Sequence, residues 1–173
     1  DYAVTNETVG IPSEAVKTLA ENDAVESVST TRLSVFMPGA GDILPFETDL
    51  SVQSHETLQL VNVDEAQLQI YAPNLSAQDK QALKDGTGCL VKNPIAFSYG
   101  DTTVQQTDLT VGDTIQLGDR TLPVLGLIDT AITINNDGFT NGVQLIVNDE
   151  IYCSLLGNDS YSEVYPTLQD NAD

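Results

Sequence analysis

The chain has no tryptophan, a single histidine, one methionine and two cysteines, and only six lysines and arginines stand against 26 aspartates and glutamates in 173 residues. Each shortage closes a class of function. The six cations, Lys17, Arg32, Lys80, Lys84, Lys92 and Arg120, are scattered through a chain of net charge −20. Nucleic-acid binding requires clustered cations that release counterions from phosphates, so it is excluded, as is docking on anionic lipid through a basic patch. Nucleophilic catalysis needs a base beside the nucleophile. The one histidine, His55, lies in the polar stretch VQSHET next to Ser54, and adjacency in a loop makes no catalytic triad. One histidine and two distant cysteines lack the paired spacing of a zinc site. The lack of tryptophan argues against a sugar-stacking platform. There is no phosphate-cradling G-x-x-x-x-G-K-[ST] and no dinucleotide G-x-G-x-x-G, so the chain is not itself an ATPase. No apolar run approaches the roughly 20 residues that span a bilayer.

The acids read as structural. Asp64, Asp79, Asp113 and Asp119 fall where caps and turns are expected, and the surplus keeps an exposed domain soluble. The stretch Asn135-Asn136-Asp137-Gly138 resembles the middle of a calcium loop. With Gly138 as sixth position, however, Thr133 and Gln144 would occupy the first and twelfth, where carboxylates are wanted. It is read as a hairpin loop. Cys89 in GCLV and Cys153 in EIYCSLL sit on apolar patterns and are expected as free buried thiols. No catalytic residue, metal or cofactor is expected.

With 40% hydrophobic and 18% charged residues, the composition is globular. The clearest pattern is LTVGDTIQLGDRTLPVLGLID, Leu109 to Asp129, where two strands meet across the turn Gly118-Asp119. Upstream, Pro12 and Ser13 start a helix over about 13–22, and a β-rich stretch runs from Val25 to Phe36. Residues 57–63, TLQLVNV, read as a strand and Asp64 as the cap of EAQLQIY. Ser76 opens a second helix that Gly86 ends, followed by a strand at 88–91. Near the end, 143–147 is a strand, Asn148 or Asp149 caps a helix closed by Gly157, and 161–168 is the last strand.

These elements predict an α+β fold in two lobes. A discontinuous βαβ-type base, residues 1–36 and 141–173, holds a four-stranded sheet with two helices in a split βαβ arrangement, and residues 37–140 form an inserted β-rich lobe. Phe36, Met37 and Phe46 flank the Gly-rich exit from the long strand and are the candidate partner contact, with packing between the lobes as the plainer alternative. The opening DYAV reads as a strand already under way and the close is polar, so the chain is read as a segment of a longer protein.

Five stretches in order also resemble the extracellular domain of MacB-like and FtsX-like ABC transporter permeases: DAVESVS, VNVDEAQL, LKDGTGCLVKN, the pair VGDTIQL and LPVLGLID, and GVQLIVNDEIYCSLLG. Asn62 departs from that pattern, where glycine is usual, and Pro123 suggests an edge or bulge. The resemblance implies a domain on the extracellular side of a bacterial cell membrane, rooted between two transmembrane helices of the same permease. A separate cytoplasmic ATPase would drive those helices, and the domain would pass their motion to an unknown extracellular substrate or protein partner. The competing readings are a secreted hydrolase, which needs a cleft with a perturbed acid or base, and a stand-alone surface adhesion or binding module.

Overall fold

The computed structural model describes residues 3–5, 10–52, 56–95, 98–103, 107–134 and 142–170. His55 and the Asn135–Gly138 stretch lie outside the described residues. Among the described residues, ten strands and four α-helices follow one another: β1 (Val4–Thr5), α1 (Ser13–Ala20), β2 (Val25–Phe36), β3 (Thr57–Val63), α2 (Glu65–Tyr71), α3 (Ala77–Lys84), β4 (Cys89–Lys92), β5 (Ser98–Tyr99), β6 (Thr102–Thr103), β7 (Thr114–Leu117), β8 (Arg120–Leu127), β9 (Gly142–Ile146), α4 (Asp149–Leu156) and β10 (Glu163–Leu168). A 3₁₀ turn, Pro38–Ala40, follows β2.

The α+β class stands, but the sheet is larger than four strands. Among the described residues, eight strands form one sheet in the order β1-β10-β2-β3-β9-β4-β8-β7, with β5 and β6 as a separate pair. The reason lies in β3. Six of its seven residues are buried, as are all of β9 and β4. Strands buried on both faces belong in the middle of a sheet. So β3 inserts between β2 and β9, antiparallel to the first and parallel to the second, and carries the 37–140 segment into the same sheet as the chain ends.

Alternation along these strands separates two cores. Leu58, Leu60, Cys89, Val91, Val143 and Leu145 face one side, where Ile151 and Tyr152 of α4 cover them. Val61, Leu90 and Ile146 face the other, under Leu68 of α2 and Leu83 of α3. The helices start where their caps dictate. Asp64 accepts the Gln67 amide, Ser76 the Asp79 amide at 3.1 Å and Asn148 the Ile151 amide at 2.9 Å. Gly86 and Gly157 end α3 and α4 with φ of 70° and 63°, the left-handed geometry that favours glycine.

The hairpin β7–β8 turns at Gly118-Asp119 as expected, although β7 begins only at Thr114 and Val111 stays exposed. Irregularity near Pro123 is also present: between β4 and β8, Cys89 faces Val124 while Leu90 faces Gly126. Both cysteines are free as expected, but only Cys89 is buried; Cys153 is half-buried at the edge of the first core.

Candidate functional site

Sheet geometry distinguishes three zones along β2. The first is where β1 meets β10. Val4 pairs with Val164 and Thr5 with Glu163, antiparallel. Backward from Val4 and forward from Val164 are therefore the same direction, so β1 is entered and β10 is left towards the same end of the sheet. The Gln169 amide then reaches the Ala24 carbonyl at 2.9 Å, fixing that end beside the start of β2.

The second zone is a changeover inside β2. Residues 25–31 pair with β10, residues 31–36 pair with β3, and Thr31 alone faces both Glu163 and Val63. Side chains clamp this overlap. The Asp64 carboxylate accepts the Ser29 hydroxyl at 3.0 Å and the Thr30 amide at 2.7 Å while capping α2. On the opposite edge the Ser162 hydroxyl accepts the Leu33 amide at 2.8 Å. Arg32 lies at the centre, only 3% exposed. Its guanidinium donates to Asn62 Oδ1 at 2.8 Å, pairs with the Asp149 carboxylate, donates twice to the Asp159 carbonyl, and stacks over Tyr161 at 3.8 Å. A buried cation is tolerable only when paired and hydrogen-bonded in this way. One side chain thus ties β2, β3, α4 and the approach to β10 together.

The third zone is the tip beyond β2, where the three candidate contact residues separate. Phe46 is 8% exposed, its ring edge-on to Phe36 with centroids 5.8 Å apart and planes at 88°. Phe36 is half-buried against the first core. Met37 stays 45% exposed and is joined by Ile43, 92% exposed, which sequence reasoning passed over.

Beside the changeover lies a crevice of about 710 Å³, between the ends of β3 and β9 and under α3. Arg32, Lys80 and Lys84 line it, so half of the chain's six cations share one cavity. Their positions in sequence gave no sign of this, because β2 and α3 come together only through the sheet. Among the described residues no three His, Cys, Asp or Glu side chains are grouped to hold a metal. Burial pushes the Cys89 thiol up to about 12 and raises Cys153 too, so neither thiol is poised as a nucleophile.

A mixed sheet with helices on both faces, its first and last described strands paired at one edge, is a fold found in an extracellular domain of an ABC-type transporter. The structure is similar to the crystal structure of the extracellular domain of the noncanonic ABC-type transporter YknZ from Gram-positive bacteria, at TM-score 0.54 and 11% identity, over 94% of this chain and 75% of that one. The periplasmic region of MacB from Actinobacillus actinomycetemcomitans matches at TM-score 0.49 and 12% identity, over 98% and 68%. The sequence matches no protein-family model and no curated protein. Among the described residues, no helix is long and apolar enough to cross a membrane.

Proposed function

We propose that this chain is the extracellular domain of an ABC transporter permease, and that it transmits motion of flanking membrane helices to a partner or substrate outside the cell. The observation that carries the reading is the course of β2. At about 3.3 Å per residue its 12 residues span roughly 36 Å. Its first half is hydrogen-bonded to the strand that bears the chain's exit, and its last residue abuts the exposed tip. A displacement applied where the two ends emerge is carried along a clamped strand rather than dissipated in a loop.

On this reading the division into a base, residues 1–36 and 141–173, and an insertion, residues 37–140, is one of roles: the base is gripped, and the insertion presents Met37 and Ile43. Phe36 and Phe46 hold the tip's root. The membrane part of the same permease and a separate cytoplasmic ATPase are the partners this requires, and the acidic surface suits exposure to solvent. The domain itself catalyses nothing.

The reading frame on either side of the chain gives the first test. An apolar span of about 20 residues is expected before Asp1 and after Asp173; no such span on either side overturns the proposal. In the full permease with its ATPase, spin labels at Ile43 and Gln169 should keep one separation in all nucleotide states, while the label at Ile43 moves relative to the bilayer. A tip stationary relative to the bilayer would exclude mechanical transmission.

A further inference from the structure

The crevice beside Arg32 sits at a particular point of the topology. β3 and β9 are adjacent and parallel, and each leads directly into a helix. α2 packs Leu68 into one core and α4 packs Ile151 and Tyr152 into the other, so the two helices leave on opposite faces of the sheet. Two helices diverging from neighbouring parallel strands leave a gap beyond the strand ends, which is where open α/β sheets bind ligands. The volume of about 710 Å³ lies within the usual range for such sites, about 300–1,000 Å³.

The lining sets the chemistry. Leu68, Leu83 and Val147 supply an apolar wall. Most of the lining carboxylates are already engaged: Asp64 by Ser29 and Thr30, Asp149 by Arg32, and Glu150 by Arg120 at 2.8 Å. Among the described residues Lys80 donates to the Gln69 amide oxygen at 2.9 Å and to no carboxylate, and the Lys84 ammonium has no carboxylate partner either. Glu65 is the one lining acid in the same position. None of the four lysines has a carboxylate partner among the described residues, and two of the four line this one cavity. The overall field of a chain of charge −20 repels multiply charged ligands, so a single negative charge on an apolar body suits the crevice better than a phosphate dianion.

We propose that this crevice binds a molecule bearing one carboxylate on an apolar body, with the carboxylate between Lys80 and Lys84 and the apolar part against Leu68 and Leu83. A peptide with a free C-terminus and a fatty acid both present that chemistry. The site shares Arg32 and Asp64 with the clamped changeover of β2, but its ligand contacts rest on α2 and α3 rather than on the chain ends, so binding can be tested without the transmission role.

Calorimetric titration of the domain at low ionic strength tests it with N-acetyl-Leu-Leu, its C-terminal amide, and octanoate. Saturable binding of the free-acid peptide, with the amide weaker by about fivefold or more, supports the site and a peptide source; octanoate binding alone supports the site and a fatty-acid source. Lys80→Gln with Lys84→Gln, both on the surface of α3, should weaken the bound acid by about three- to tenfold, and Lys17→Gln should leave it unchanged. No saturable binding of either acid up to about 10 mM overturns the proposal, as does equal binding of acid and amide or indifference to the lysine pair.

Discussion

Asn62 holds Arg32 on one side and the end of β9 on the other: its Oδ1 accepts the guanidinium at 2.8 Å, and its Nδ2 donates to the Val147 carbonyl at 3.1 Å. Both bonds are buried. Asn62→Ala would leave a guanidinium N–H and a carbonyl short of a partner in the place where β2, β3 and β9 meet. The expected loss is about 2–3 kcal/mol, from unpaired buried groups at about 1–3 kcal/mol each. Urea unfolding should show a lower midpoint at unchanged slope. A loss under about 0.5 kcal/mol would mean that water replaces both bonds.

Asn62 also shows what the sequence could and could not disclose. In the resemblance to MacB-like permeases it stood out only as a departure from glycine, because its two partners are 30 and 85 residues away. Local signals, by contrast, were legible. The limits of β2 and β3, the caps Asp64, Ser76 and Asn148, the turn at Gly118 and the stops at Gly86 and Gly157 all follow from short-range chemistry and appear as read. Neighbours in the sheet were not legible, since alternation marks a strand without naming what it pairs with. That is why a four-stranded base sheet and a separate β-rich lobe became one sheet of eight strands among the described residues, and why Lys80, Lys84 and Arg32 looked scattered. The tip residues were half legible: composition located the loop, but only packing separates Phe46 from Met37 and Ile43.

Gly142 faces Thr57 across the parallel pair β3–β9, and no side chain fits there. A Cβ at this position would lie 2.0 Å from Thr57 Oγ1 and 2.7 Å from Gln59 Nε2. Gly142→Ala should therefore cost about 2–3 kcal/mol, the scale of overpacking in a tight core. Gly41 is the contrast. It has φ of 98° and open space around it, so Gly41→Ala should cost about 1 kcal/mol through backbone strain alone. Thermal unfolding of the two variants should rank them in that order; the reverse order would remove the steric argument.

Lys92 continues a buried polar row. It pairs in register with Gln144, whose amide donates to Gln59, and the Gln144 Oε1 has no hydrogen-bond partner among the described residues. Burial lowers the Lys92 pKa, and the charge of Asp129 partly restores it. A lysine with a depressed folded-state pKa binds fewer protons folded than unfolded, between that value and the unfolded value of about 10.4. Stability therefore rises as pH climbs through that window. Lys92→Met removes the dependence. The variant should be more stable than wild type at pH 7, with the gap narrowing toward pH 10. Denaturant midpoints at several pH values decide it, and a gap that widens with pH would contradict the desolvation account.

Phe46 and Ile43 stand three residues apart with opposite exposures, 8% and 92%. If the tip engages a partner, these positions should fail in different assays. Phe46→Ala removes a ring packed edge-on to Phe36 and should cost about 3–5 kcal/mol in unfolding measurements. Met37→Ser with Ile43→Ser removes exposed side chains only, so stability should stay within about 0.5 kcal/mol of wild type. Burying Ile43 against a partner would contribute about 1.5–3 kcal/mol to the contact, so under the proposed role its loss should cripple transport even though the domain stays folded. A double variant that is stable and transports normally would clear the tip of any role in contact. One that unfolds as readily as Phe46→Ala would assign these residues to packing.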